Sequence, residues 1–160
     1  MQQTVYLETS IVSYLTARIS GDLVVAGHQQ LTRLWWDKQK HRFNVFVSES
    51  VLREAGAGDA DAARRRLVAL KGLPVLEIGS DIENMAQRFL KHGHISPKSA
   101  VDALHIAIAT VHAMDYLLTW NCTHIANATI RSRLAFEADK AGYRLPIICT
   151  PEELWGGTDV

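Results

Sequence analysis

Residues 100–120, AVDALHIAIATVHAMDYLLTW, join a long apolar segment to a short β-rich one. Residues 100–111 are apolar on nearly every side, which predicts a buried helix. Ser96 and Pro97, a capping residue followed by proline, mark its start, and we predict that it reaches about Met114. Residues 116–120 follow as a strand. A helix that leads directly into a strand is typical of an α/β fold.

The same alternation extends to both sides of this stretch. Further strands are predicted at residues 5–7, 43–47, 74–78 and 146–150. Helices are predicted from residue 9, at 23–40, from 48 or 50 to 55, at 59–72 and 80–91, and before residue 141. Strands separated by helices need crossover connections, which give a parallel sheet covered on both faces. We therefore predict a three-layer α/β/α sandwich with a central parallel sheet of about five strands, and a single domain over residues 1–160.

Composition excludes several classes of protein. Apolar residues make up 48% and charged residues 21% of the 160, which excludes intrinsic disorder. Seventeen basic residues balance seventeen acidic ones, so bulk positive charge does not drive nucleic-acid binding. No apolar run approaches the ~18 residues of a membrane helix, and the first residues lack a secretory signal pattern. We predict a cytoplasmic protein with no membrane partner.

Polar residues follow several predicted strands, at the edge where parallel α/β sheets bind ligands. Glu8 follows the first strand, Glu54 lies shortly after the second, and Asn121 follows the fourth. Asp102 lies early in the apolar helix, where an unpaired carboxylate is unfavourable by several kcal/mol. Carboxylates that converge without Cys or a pair of His select Mg²⁺ or Mn²⁺ over Zn²⁺.

Each of these residues also has a purely structural interpretation. Asp102 and Ser99 have the spacing of a capping box. His105, one turn further on, is more often a hydrogen-bonded core histidine than a metal ligand. Glu8 supplies favourable charge at a helix N-terminus, and Glu54 fits an exposed position on a short helix. The weight of the functional interpretation lies in the arrangement of the acids.

Four segments resemble, in order, the motifs of PIN-domain proteins, above all the VapC-like toxins of type II toxin–antitoxin systems. They are VYLETS (5–10), VS (47–48) followed at the sixth position by Glu54, DALHIA (102–107) and LLTWN (117–121). The resemblance extends from about residue 4 to residue 150, and DALHIA is its most specific part. It implies a Mg²⁺- or Mn²⁺-dependent ribonuclease that hydrolyses RNA through a metal-activated water. It also implies a homodimer that is inhibited by a small antitoxin.

The resemblance assigns roles by position. Glu8 stands where the family usually has its first Asp, Glu54 matches the second acid and Asp102 the third. Asn121 lies at or beside the fourth, where many members have Asp. The resemblance thus predicts Glu8, Glu54 and Asp102 as metal ligands and, with Asn121, as catalytic residues. Predicted substrate-binding residues are Thr9, Ser10, Thr119 and Arg53.

Two departures from the family pattern bear on the chemistry. Glu8 has one methylene more than Asp, so its carboxylate must fold back or the metal must lie farther out. Asn121 offers an oxygen without a charge, which favours one metal ion over two. The run Arg64-Arg65-Arg66 is either a phosphate contact or a solvated helix face.

Three functions follow, in order of preference. The first is a divalent-metal-dependent endoribonuclease, the toxin of a toxin–antitoxin pair. The alternative is a catalytically weak or inactive PIN-like module that binds protein or RNA, with an apolar patch from Trp35, Trp36, Phe43 and Phe46. A phosphatase is disfavoured, because it would need a nucleophilic Asp at position 8.

Overall fold

A computed structural model describes residues 1–156 of the chain. Its strands are β1 (Thr4–Leu7), β2 (Asn44–Ser48), β3 (Val75–Leu76), β4 (Tyr116–Leu118) and β5 (Ile147–Cys149). Its α-helices are α1 (Thr9–Thr16), α2 (Leu23–Lys38), α3 (Glu49–Ala55), α4 (Ala60–Leu70), α5 (Ser80–His92), α6 (Ala100–Val111) and α7 (Ala128–Lys140). Two short 3-10 helices, Lys40–Arg42 and Pro97–Ser99, complete the elements of the described part.

The strands form one parallel sheet in the order β3-β2-β1-β4-β5. Helices α1 to α4 pack among themselves, and α6 and α7 each pack on α5. Right-handed crossovers place the first group on one face of the sheet and the second on the other, because the chain reverses its direction across the sheet after β3. The three-layer α/β/α fold predicted from the sequence is confirmed. Its central strand is β1, where Val5, Tyr6 and Leu7 are fully buried.

Helix α6 differs from its prediction at both ends. Residues Pro97–Ser99 form a 3-10 helix, and α6 begins only at Ala100. The side chain of Ser99 makes no capping hydrogen bond, so the Ser99–Asp102 capping box is wrong. The helix ends at Val111, before the predicted Met114, because Ala113 adopts a left-handed conformation with φ of 55°. Its exposed side includes Val101, so α6 is not buried all round.

Other helix starts show which polar residues cap them. Ser48, rather than Ser50, caps α3 by accepting from the amide of Val51. Helix α5 begins at Ser80 with Gly79 at the capping position, so Ser80 lies inside the helix and does not cap it. These differences of one residue arise because neighbouring polar residues compete for the same backbone donors.

A C-terminal segment after β5 packs against α2. The indole Nε1 of Trp35 donates to the carbonyl of Leu154 at 2.9 Å, and the amide of Gly156 donates to Gln39 Oε1 at 3.0 Å. Trp35 is fully buried, so it belongs to the core and not to the exposed apolar patch considered from the sequence. Residues 157–160 lie outside the described part. Within residues 1–156, no helix is both long and apolar enough to span a membrane.

Candidate active site

The carboxyl edge of the sheet collects the polar residues that the sequence singled out. Glu8 follows β1 directly, and Thr119 follows β4. Ser48 ends β2 and leads into α3, which carries Glu54. Asp102 lies in the first turn of α6. Parallel pairing of β1 with both β2 and β4 brings these strand ends side by side.

Glu8 is buried and its carboxylate folds back onto its own helix. It accepts from the amide of Ser10 at 3.1 Å, and so caps α1. The hydroxyls of Ser10 and Thr119 also donate to it, at 2.5 and 2.6 Å. Of the two consequences foreseen for the extra methylene, the structure has the folded-back side chain. These three hydrogen bonds satisfy the carboxylate inside the protein.

Glu54 lies half-exposed near the end of α3. Its Oε1 accepts from the hydroxyl of Thr9 at 3.0 Å and contacts His105 Nε2 at 2.5 Å. Partial burial alone would raise the pKa of Glu54, but His105, Thr9 and the charge of Arg53 outweigh that effect and hold the pKa below its usual value. Glu54 is therefore ionised over the whole physiological range.

Asp102 is linked to Asn121 across the site. The side-chain Nδ2 of Asn121 donates to Asp102 Oδ1 at 3.1 Å, and Asn121 Oδ1 accepts from the amide of His124 at 3.0 Å. Partial burial, together with the negative charges of Glu8 and Glu54, raises the pKa of Asp102, and the two nearby histidines offset only part of this rise. Asp102 is thus the acid that gains most from a nearby cation.

Hydrogen bonds connect Glu8, Asn121 and Asp102 at this edge, and Glu54 is linked to them only through the neighbouring residues Thr9 and Ser10. Thr9 and Ser10, adjacent in the chain, hold Glu54 and Glu8, and Thr119 joins Glu8 to the amide of Asn121. Within residues 1–156, however, no group of three or more His, Cys, Asp or Glu side chains is arranged to hold a metal ion. The three-carboxylate cluster predicted from the sequence is therefore not preformed. Instead, each acid is bonded to protein donors.

Residues predicted to contact the substrate fall into two groups. The hydroxyls of Thr9, Ser10 and Thr119 donate to the acids and so position them. Arg53 is exposed and close enough to Glu54 to lower its pKa. In the arginine run, Arg66 donates to the carbonyls of Ala55 and Ala57 and joins α4 to the end of α3. It is a structural residue, while Arg64 and Arg65 are exposed.

Two further side chains reach the site without having been predicted there. Tyr6 lies in the middle of β1, and its hydroxyl contacts His105 Nδ1 at 2.6 Å. His105 is indeed a hydrogen-bonded buried histidine, but its partner is the site acid Glu54. The sequence could have indicated His105 as a site residue, because it follows Asp102 by three residues and therefore lies on the same side of the helix. No local pattern marks Tyr6, because its partner is 99 residues away in the chain.

Comparison with known proteins gives matches to solved structures. VapC20 of Mycobacterium tuberculosis, a toxin that cleaves the sarcin–ricin loop, has 20% sequence identity and a TM-score of 0.55. That match covers 87% of this chain and 95% of the toxin. VapBC2 from Rickettsia felis, solved on a DNA fragment from its promoter, has 13% identity and a TM-score of 0.58. That match covers 92% of this chain and 98% of the Rickettsia felis chain. No protein-family profile and no curated protein matches the sequence.

These matches extend over nearly the whole chain at low sequence identity, and they establish the fold. The chain has the fold of the VapC-like PIN-domain proteins, as the resemblance of its motifs implied.

Proposed function

From this fold and the acids at its carboxyl edge, we propose that the chain is a divalent-metal-dependent endoribonuclease of the VapC kind. One observation carries the proposal: Glu8, Glu54 and Asp102 come from three separate segments, and the first two raise the pKa of the third. Like charges brought together in a half-buried site are unfavourable unless a cation neutralises them. A structural role for these acids would not require them to lie within electrostatic range of one another.

The donor set fits Mg²⁺ or Mn²⁺. It consists of carboxylate, hydroxyl and amide oxygens without a thiolate, and Mg²⁺ needs only one or two carboxylates because it keeps several waters. Asp102 and Glu54, both partly exposed, would hold the ion, with Glu8 adding charge from behind. A bound ion of this kind supplies an activated water and offsets charge on the leaving oxygen of a phosphodiester.

The protein's own residues then have distinct tasks. Asn121 holds Asp102 through its amide, so it fixes the direction of that carboxylate. Thr9 and Thr119 fix Glu54 and Glu8 in the same way. Arg53 stands at the exposed rim beside Glu54, where its guanidinium would bind a phosphate of the RNA.

Cleavage of a structured RNA in the presence of Mn²⁺ tests the proposal. Asp102→Asn keeps the size and the hydrogen bond to Asn121 but removes the charge, so we expect cleavage to fall at least 100-fold, about 2.7 kcal/mol of barrier. Asp37→Asn, an exposed acid on α2, is the matched control and should cleave like the unaltered protein. Equal cleavage by Asp102→Asn and the unaltered protein would refute the assignment.

A second candidate function is a binding module without turnover. It is favoured by one observation: the acids of residues 1–156 are bonded to protein donors and form no ready-made metal cage. Calorimetric titration with Mn²⁺ separates the two functions. Heat of binding that is lost in Asp102→Asn supports the nuclease, whereas no heat together with no cleavage supports the binding module.

We also propose that the chain acts as the toxin of a toxin–antitoxin pair, as a homodimer inhibited by a small antitoxin. In this proposal residues 1–160 form a single cytoplasmic domain. The VapBC2 match supports an antitoxin partner, since that structure includes the complex with its partner protein. Expression alone should stop growth, and co-expression with the neighbouring upstream gene should restore it. Growth arrest that persists in Asp102→Asn would contradict a nuclease toxin.

A further inference from the structure

His105 is 1% exposed and uses both ring nitrogens. Its Nε2 lies 2.5 Å from Glu54 Oε1 and its Nδ1 lies 2.6 Å from the hydroxyl of Tyr6. The Tyr6 hydroxyl lies 2.8 Å from Ser48 Oγ, which accepts from the amide of Val51 at 3.2 Å. These contacts form an unbroken row of hydrogen bonds. The row begins at Ser48, before α3, passes through Tyr6 and His105 in the core, and ends at Glu54 near the end of α3.

The partners determine where each hydrogen lies. Glu54 Oε1 also accepts from the hydroxyl of Thr9, so it acts as an acceptor and Nε2 of His105 donates to it. Nδ1 of the neutral ring then carries no hydrogen, and the hydroxyl of Tyr6 donates to it. Ser48 then donates to the Tyr6 oxygen. The opposite direction fails, because among the hydrogen bonds of residues 1–156 the hydroxyl hydrogen of Ser48 would have no acceptor.

We propose that His105 is a positioning residue for Glu54, locked as the Nε2–H tautomer by Tyr6 and Ser48. This deepens the proposed nuclease function and rests on it. Glu54 is on a helix of seven residues and its side chain has three rotatable bonds, so it needs outside partners to keep one orientation. Groups that hydrogen-bond to a metal-binding carboxylate fix its direction, and their loss typically lowers metal affinity about 10–100-fold.

The tautomer is measurable without metal or RNA. A two-bond ¹⁵N–¹H correlation spectrum of the metal-free protein at neutral pH distinguishes the two nitrogens of each histidine, and His105→Gln identifies the signal of His105 by its loss. We expect a protonated Nε2 and an unprotonated Nδ1. A proton on Nδ1, alone or with Nε2, would overturn the proposed row.

Two variants test the positioning role through Mn²⁺ affinity, measured by calorimetry well below the unfolding temperature. Tyr6→Phe removes only the hydroxyl that holds Nδ1, and we expect Mn²⁺ binding about tenfold weaker. His105→Gln keeps a donor near the Nε2 position, so it should retain more affinity than His105→Leu. Tyr116→Phe is the control, because within residues 1–156 its hydroxyl has a single hydrogen bond, to Gln3 at the opposite end of the sheet.

The results separate this inference from the nuclease proposal. If the unaltered protein neither binds Mn²⁺ nor cleaves RNA, the nuclease proposal fails, and the tautomer spectrum still decides the hydrogen-bonded row. If the unaltered protein binds Mn²⁺ and both Tyr6→Phe and His105→Leu bind it equally well, the nuclease proposal stands. The positioning role of His105 is then wrong, and the residue serves only packing.

Discussion

Asp102 occupies a position that is electrostatically poor in the metal-free protein. It is half-buried and lies near two other acids, and within the described residues its carboxylate accepts one hydrogen bond, from the neutral amide of Asn121. Glu8 and Glu54, by contrast, have two or more donors each. Function-related strain of this kind commonly lowers the stability of the free protein. The unfavourable electrostatic energy of the site therefore lies mainly at Asp102.

Replacing Asp102 by Asn should therefore stabilise the metal-free protein. The raised pKa means that the folded state binds a proton more readily than the unfolded state, so stability falls as pH rises through that range. We expect Asp102→Asn to gain roughly 0.5 kcal/mol at neutral pH, a small value because the carboxylate is partly solvated, and about 1–2 °C in Tm.

Thermal unfolding in EDTA at several pH values measures this difference. The gain should shrink as the pH falls and should vanish below the unfolded-state pKa of Asp, roughly 3.9, where Asp102 is protonated in both states. A variant that is less stable than the unaltered protein at neutral pH would contradict the prediction. Added Mn²⁺ should raise the Tm of the unaltered protein only.

Sequence reasoning reached part of this site. It identified Glu8, Glu54 and Asp102, because acids after strands of a parallel sheet share one edge. It did not predict that Asn121 would hold Asp102, since that contact depends on the path of the chain after β4. Hydrogen bonds between residues far apart, such as Tyr6 with His105, leave no local pattern in a sequence.

At the scale of elements, helix α6 is terminated by an alanine in the left-handed conformation that glycine usually adopts. Ala113 has φ of 55°, its amide donates to Thr110, and the amide of Met114 donates to Ala109. This is the hydrogen bonding of a helix C-terminus that usually has glycine in the left-handed position. Because alanine stands there, the sequence carries no stop signal, and the predicted helix was too long.

Ala113→Gly should stabilise the protein. Glycine adopts a positive φ without the steric penalty of a Cβ, and we expect a gain of about 0.5–1 kcal/mol after the added freedom of the unfolded chain is subtracted. Ala141→Gly is the matched control at the end of α7, where φ is −88°. That change should destabilise by about 0.5 kcal/mol.

Urea unfolding of both variants provides the measurement. Since Ala113 is exposed, its substitution removes no packed methyl group, whereas Ala141→Gly also loses a partly buried methyl group that packs against the core. Equal effects of the two substitutions would show that the left-handed conformation of Ala113 contributes no strain.

The whole molecule carries equal numbers of basic and acidic residues, so the RNA binding that we propose would have to come from a few local contacts. Of the predicted phosphate contacts, Arg66 is engaged with backbone carbonyls, which leaves Arg53, Arg64 and Arg65 exposed. Arg64 also lies 3.6 Å from Asp61, a fully solvated pair of little strength. A nuclease of this composition should bind RNA weakly, and its affinity for RNA should depend little on salt concentration.

We therefore expect a shallow salt dependence. With two or three phosphate contacts to single-stranded RNA, log K should fall against log salt with a slope of roughly −1.4 to −2.1. Arg53→Gln should reduce the magnitude of the slope by about 0.7, whereas Arg144→Gln, exposed before the start of β5, should leave it unchanged.

Fluorescence anisotropy of a labelled RNA measures the slope, with Asp102→Asn as the background so that the RNA stays intact. A slope several times steeper would reveal a larger basic surface than Arg53 and its neighbours provide. Identical slopes for Arg53→Gln and Arg144→Gln would exclude a phosphate contact at Arg53.

The overall architecture was predictable because its signals are repeated along the chain. Five β-rich runs separated by helices specify a parallel sheet even when individual ends are misplaced by a few residues. Strand β3 shows the limit: residues 74–78 were predicted, but only Val75–Leu76 pair with β2. An edge strand has a single neighbour, so its length depends on how far that neighbour reaches.

The position of β1 in the middle of the sheet has a consequence for synthesis. Its partners are β2, about forty residues later, and β4, more than a hundred residues later. A ribosome therefore releases Glu8 and Glu54 long before Thr119 and Asn121, and the growing polypeptide has no complete candidate site until β4 has been made. Under the proposed function, the nascent chain therefore cannot cleave RNA while β4 is still unmade.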